Sequence, residues 1–281
     1  MTTPTYIPSV RARRVARILR DLRDQAKMSQ TAVAGRFGWS QQKVGAIESA
    51  RNKVSEHDAA LLLDLFGVTS PDREATLALV READQRNWWT DYVGVLSGPY
   101  VALEDAADQI LNWAPLVIPG LLQTTDYARE IISAGRPGAS TDLDQRLRAR
   151  LARQTVLVRD QDPPNLHVVL DEAVIRRPIG GPDVIRAQLR RLLSEIDRTN
   201  VTIQVLPFNA GTHSGLDGSV IVLKFAEPLD PDVAFVEGMM GGVYLENPHQ
   251  VTRCSLAFER LTEAALTPHD SAALIEAAAK K

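Results

Sequence analysis

Between Ser29 and Lys53 the chain reads SQTAVAGRFGWSQQKVGAIESARNK, and this stretch constrains the fold more tightly than any other. Ser29 is placed to cap a short helix beginning at Gln30. Ala34 is small where two helices must cross closely, Gly38 stands where the chain must turn, and Ser40 can cap a second helix. Val44 and Ile47, three apart, fall on one buried face of that second helix. Gln41, Gln42 and Lys43 are left at its exposed N-terminal end, and all three can hydrogen-bond to bases or phosphates.

The wider run LRDLRDQAKMSQTAVAGRFGWSQQKVGAIESARNK resembles the Xre family of helix-turn-helix transcriptional regulators, which includes the lambdoid phage repressors. Four constrained slots at fixed offsets carry the resemblance. It implies an all-α, lambda-repressor-like head whose second helix of the motif enters a major groove of double-stranded DNA. It also implies an ion pair between Arg23 and Glu48 that holds the recognition helix in place. In one respect the run departs from the family: Ala50 stands where a Gly usually follows the recognition helix, so a differently built helix end is expected there.

Net charge over the 281 residues is only −3, but its distribution is uneven. From Met1 to Val54 eleven Arg and Lys stand against Asp21, Asp24 and Glu48, a net +8, which leaves −11 on the remainder. A basic head on an acidic body is the asymmetry expected when one domain meets phosphate and the other does not. No apolar run approaches the roughly 20 residues that span a bilayer, and MTTPTYIPSVRARR lacks the apolar core of a signal peptide. A soluble, cytoplasmic, nucleoid-associated protein is expected, with no membrane contact. The single cysteine, Cys254, cannot form an internal disulfide, and no CxxC or HExxH is present to hold a metal. No metal and no cofactor are expected.

Three segments follow from these patterns: a helix-turn-helix domain over residues 1–68, a connecting helix over 69–91, and an α+β domain over 92–281 for partner or ligand binding and dimerisation. Val10 to Ala26 reads as a helix with apolar Val15, Ile18, Leu19 and Leu22, and with Arg11, Arg13, Arg14 and Arg17 available to phosphate or solvent. Ser55 opens HDAALLLDLFGV, and Ser70 with Pro71 opens the connecting helix, which runs toward Trp88 and Trp89. Those two tryptophans read as packing rather than as a stacking platform for bases.

From Tyr92 the texture changes. ALEDAADQILNWAPLVIPGLLQTTDYAREIISAG combines an amphipathic helix, a Pro/Gly turn at Ile118 to Gly120, and a second helix capped by Thr124 or Thr125. The runs EDAADQILNWAPLVIPGLLQTTDYARE, RLRARLARQTVLVRD, LHVVLDEAVIRRPIGG, VTIQVLPFNAG and FVEGMMGGVYLE are similar to a C-terminal domain of unassigned activity. That domain follows an Xre head in many regulators of high-GC Gram-positive bacteria, including the WhiJ-like ones. The resemblance implies a toxin-antitoxin-like arrangement in which a small protein encoded by the adjacent gene is the partner. Four short β-branched runs, Leu166 to Leu170, Val201 to Leu206, Ser219 to Phe225 and Val233 to Glu237, read as strands of an antiparallel or mixed sheet. A helix at Asp183 to Asp197 and two terminal helices should pack on it.

Catalytic chemistry finds no motif. Asp171 with Glu172, Glu237, and the set His213, Ser214 and Asp217 are suggestive residue types, but no GxSxG elbow surrounds them. Gly180–Gly181 and Gly241–Gly242 lack a phosphate-binding pattern and read as turns. The expected function is therefore a non-enzymatic, sequence-specific regulator, acting as a homodimer on a two-fold operator with half-sites about one helical turn apart. Gln41 and Gln42 would read base edges, with Gln30, Ser40, Lys43, Arg51, Asn52 and Lys53 on the phosphate backbone. The alternative is an enzyme or metabolite-binding module that the DNA-binding head localises.

Overall fold

Four serines start the first four helices of the computed structural model, which describes residues 8–84, 88–92, 95, 99–135, 140–227, 230–238 and 241–280. Helices α1 (Val10–Gln25), α2 (Gln30–Phe37), α3 (Gln41–Glu48) and α4 (Glu56–Leu65) are capped by Ser9, Ser29, Ser40 and Ser55. Each hydroxyl oxygen accepts the amide N–H three residues on, at 3.0 to 3.2 Å. Each cap satisfies a donor that the helix itself leaves unpaired, worth about 1 kcal/mol.

The same four helices close on left-handed residues, Lys27, Gly38, Ala50 and Gly67, at φ +53°, +67°, +51° and +73°. The end at Ala50 is thus not differently built, as its missing glycine suggested. Ala50 N–H donates to Ile47 O (3.0 Å) and Arg51 N–H to Ala46 O (2.9 Å), the two bonds of a Schellman closure. Alanine adopts the conformation that glycine adopts more cheaply. Helix α5 (Asp72–Ala83) lies against α1 and α4. Ser70, expected to cap it, instead donates its hydroxyl to Glu74 at 2.7 Å. Leu77 and Val80 of α5 share one core with Val15, Leu19, Val44, Ile47, Leu62 and Leu63. Because Val44 and Ile47 turn inward, Gln41 and Gln42 stay exposed.

Between Ala106 and Ala107 the chain divides into two compact units. At the end of the first, Trp88 and Trp89 meet edge to face, 5.9 Å apart, beside Val101 and Ala102 of α6 (Tyr100–Ala106). The Trp88 indole N–H donates to Asp105.

The second unit is built on a mixed six-stranded sheet in the order β3-β2-β1-β4-β5-β6. Its strands are β1 (Gln109–Ala114), β2 (Asn165–Asp171), β3 (Val201–Leu206), β4 (Val220–Lys224), β5 (Val233–Gly238) and β6 (Gly241–Leu245). The first three are parallel, and β4, β5 and β6 continue antiparallel. Helices α7 (Thr125–Gly135) and α8 (Ser140–Gln154) link β1 to β2, while α9 (Glu172–Arg176) and α10 (Pro182–Ile196) link β2 to β3. The last two helices are α11 (Pro248–Ala264) and α12 (Pro268–Ala279). Phe258 and Leu261 of α11 bury against Trp113, Val169 and Leu206, so α11 covers one face of the sheet. Helix α12 packs on α10 and β3.

Two strands differ from the sequence expectation. An amphipathic helix was expected to run up to the Pro/Gly turn, but α6 stops at Ala106 and β1 takes the centre of the sheet, between β2 and β4. With both faces covered, its apolar residues need not alternate, and Ile110 and Trp113, three apart, imitate a helical stripe. The strand β6 was not expected at all. Gly242 lies so close beneath the Phe235 ring of β5 that an added Cβ would fall 2.0 Å from ring carbon Cζ, so the pair GG is part of a hairpin strand.

Candidate nucleic-acid interface

Ser40 fixes where α3 begins, and so decides which side chains stand at its exposed end. Its hydroxyl caps at Lys43 N–H, which makes Gln41 and Gln42 the first two helical residues, both exposed. A helix N-terminus also points unpaired N–H groups and a partial positive charge outward, which suits an anionic backbone. The arrangement offers two amide side chains that can each bond a base edge twice, above a donor-rich helix end.

At the other end of α3 lies a buried polar anchor. Arg23 Nε donates to Glu48 Oε1 at 2.6 Å and its Nη2 to Glu48 Oε2 at 3.1 Å. Gln30 Nε2 donates to the same Oε2 at 2.8 Å, so the carboxylate is satisfied from two helices. Arg23 Nη1 further donates to Met28 O and to Asp24. The side chains of Arg23 and Glu48 are only 11% and 6% exposed. The hydrogen bond to Glu48 holds the Arg23 guanidinium above its already high ordinary pKa. The result is a tie from α1 through α2 to the last residue of α3.

The residues expected on phosphate fall into two groups. Ser40, Arg51, Asn52 and Lys53 are exposed on the α3 cap and the α3–α4 turn. Arg51 Nε donates to Ser49, and Lys53 pairs with Asp84 at 2.6 Å in water. Gln30 and Lys43 have their polar ends turned to the protein. Gln30 serves Glu48, whereas the Lys43 ammonium lies 2.8 Å from Asp58 Oδ2 and 3.8 Å from the centre of the Trp39 ring. Sequence reasoning missed Trp39 and Asp58. A signal existed: a lysine in the first turn of a helix opposes the dipole and invites a nearby carboxylate, and Ser55 with Asp58 forms a recognisable helix start. On α1, Arg11 lies 3.2 Å from Glu82.

In the second unit four of the suggestive residues, Ser214, His213, Asp171 and Glu172, have structural partners. Ser214 donates its hydroxyl to Ala257 O at 2.7 Å, and His213 Nδ1 accepts from Gly215 N–H while its ring meets the Trp113 edge. Asp171 caps α9 at Ala173 N–H, and Glu172 pairs with Arg176 and accepts Phe208 N–H. Cys254 is half-buried beside the sheet, and burial pushes its thiol pKa up, away from reactivity. No group of three His, Cys, Asp or Glu gathers as a metal site among the described residues, and none of their helices is long and apolar enough to cross a membrane.

The run PGLLQTTDYAR forms a lock of buried amides. Gln123 Nε2 donates to Ile118 O at 2.7 Å and its Oε1 accepts Arg150 Nη1. Gln188, fully buried on α10, accepts Thr124 N–H and donates to Leu122 O. Tyr127 OH accepts Ile118 N–H, and Thr124 is the residue that caps α7. These bonds satisfy the backbone of a loop that is buried against α8 and α10.

Two family models match successive stretches of the chain. A family model described as a helix-turn-helix domain matches residues 14–77, and one described as a domain of unknown function (DUF5753) matches residues 98–277. No curated protein and no solved structure matches the chain.

Proposed function

The chain belongs to the family of that domain of unknown function (DUF5753), carried here behind a helix-turn-helix DNA-binding domain, and from this premise we propose that it is a sequence-specific transcriptional regulator. One observation carries the reading: an anchored α3 with Gln41 and Gln42 exposed at its start, in a segment whose net charge is +8. Gln41 and Gln42 read base edges, adenine being the geometric preference of a bidentate Gln, and Ser40, Arg51, Asn52 and Lys53 bind the backbone. The protein acts as a homodimer on a two-fold operator. The second unit receives a small protein partner or a small ligand and has no catalytic role. Support for this comes from the acidic charge of the remainder, the resemblance to Xre and WhiJ-like regulators, and the structural partners already held by Ser214, His213, Asp171 and Glu172.

Selection of bound duplexes from a randomised pool by the full chain is the test. A two-fold sequence with half-sites about one helical turn apart supports the reading. Recovery of an unenriched pool contradicts it.

A further inference from the structure

Lys43 is the cation nearest the two glutamines in sequence, and its ammonium is held by two groups at once. Asp58 Oδ2 lies 2.8 Å away and the Trp39 ring centre 3.8 Å away, with Phe37 packed on that ring at 4.7 Å. Asp58 is itself fixed, because its N–H is capped by Ser55 and its carboxylate sits in the first turn of α4, where the helix dipole favours a negative charge. The side chains of Lys43 and Asp58 are 39% and 20% exposed, so water and salt screen this pair less than the open Lys53–Asp84 pair, at 53% and 68%.

We propose that Asp58 is a specificity-determining positioning residue: with Trp39 it holds Lys43 off the phosphate backbone. The inference rests on the DNA-reading function proposed above. A mobile lysine beside the base-reading side chains would bind any duplex through phosphate, raising affinity without adding discrimination. Held by Asp58 and Trp39, it leaves the weakly tethered Arg51 and Lys53 to bind phosphate and the two glutamines to choose the sequence.

The test compares salt dependence of binding by full-length wild type, Asp58→Asn and Asp58→Asn/Lys43→Met, on a random duplex and on a selected site. Releasing Lys43 adds one phosphate contact, so Asp58→Asn should steepen the log–log salt slope by about 0.9, roughly a 3.5-fold larger fall in affinity between 50 and 200 mM salt. It should also narrow the ratio of selected to random affinity, and the double variant should return to the wild-type slope. An unchanged slope in Asp58→Asn overturns the proposal. So does a steepening that survives in the double variant, since the carboxylate's own repulsion would then be the cause. A readout on the unaltered protein guards against a misfolded variant: the Trp39 ring should shift the Lys43 side-chain proton resonances upfield, and ordinary lysine shifts would overturn the proposal. Equal wild-type affinity for selected and random duplex, by contrast, fails the preceding reading and with it the specificity role of Asp58, while the slope comparison on random DNA still decides whether Asp58 holds Lys43 off phosphate.

Discussion

Replacing Arg23 by methionine tests whether the buried anchor holds the recognition helix. Methionine occupies much of the arginine's aliphatic path but supplies no donor, so Glu48, 6% exposed, would keep only the Gln30 amide and lose both guanidinium bonds. Met28 O would lose its donor as well. Breaking one side of a buried pair costs on the order of 3 to 5 kcal/mol, against less than about 1 for an exposed pair, because an uncompensated charge remains. Replacing both Arg23 and Glu48 by methionine removes that stranded charge, and such double replacements are often near neutral. The appropriate assay is native-state hydrogen exchange of the α3 amides in the full chain, which reads the helix-turn-helix unit separately from the sheet. At about 1.4 kcal/mol per decade, protection in the single variant should fall by roughly two to three and a half orders of magnitude. The double variant should recover most of it. A loss under tenfold in Arg23→Met, or a double variant as damaged as the single, would refute the reasoning.

Two further outcomes follow from the second unit and one from the first. Burial outweighs the hydrogen bond that His167 Nε2–H donates to Gln204 Oε1 and depresses the His167 pKa, so the unfolded chain takes up a proton at higher pH than the folded one. Stability is then complete above about pH 6.5 and is lost as pH falls from there toward the folded value; His167→Gln should flatten that dependence in denaturant titrations, and parallel curves would contradict it. Gly215→Ala places a Cβ 2.5 Å from the Trp113 ring and should cost about 1 to 3 kcal/mol by chemical denaturation. Gly35→Ala in α2 meets nothing within 4 Å and should instead stabilise the first unit by about 0.5 to 1 kcal/mol, so a loss there would be contradictory.

The helix-turn-helix was legible because its constraints are local. Ser29, Ala34, Gly38, Ser40, Val44 and Ile47 each answer to neighbours within one or two turns, and the structure uses Ser29, Gly38 and Ser40 as caps. The left-handed closures at Lys27 and Ala50 were not, since neither residue type signals φ > 0. In the sheet, β2, β3, β4 and β5 showed as β-branched runs between breakers. The central strand β1 was read as helix because a strand covered on both faces loses the alternation that marks one, and β6 was overlooked because two of its five residues are glycine. At the candidate site, the exposure of Gln41 and Gln42 followed from helix phase alone. The engagement of Lys43 by Asp58 and Trp39 did not, because it depends on how α4 returns past α3, fifteen residues later in the chain.

Base discrimination by the two exposed glutamines of α3 is the central claim, and competition binding of the full chain on its selected site measures it most directly. Wild type, Gln41→Ala and Gln42→Ala would be titrated against a panel in which each base pair of a half-site is changed singly. A bidentate contact carries roughly 1 to 3 kcal/mol of discrimination. Each alanine variant should therefore lose about 5- to 150-fold in preference at one position per half-site, and change little on random duplex. Equal loss on selected and random DNA for both variants, with the panel's preferences intact, would contradict the account.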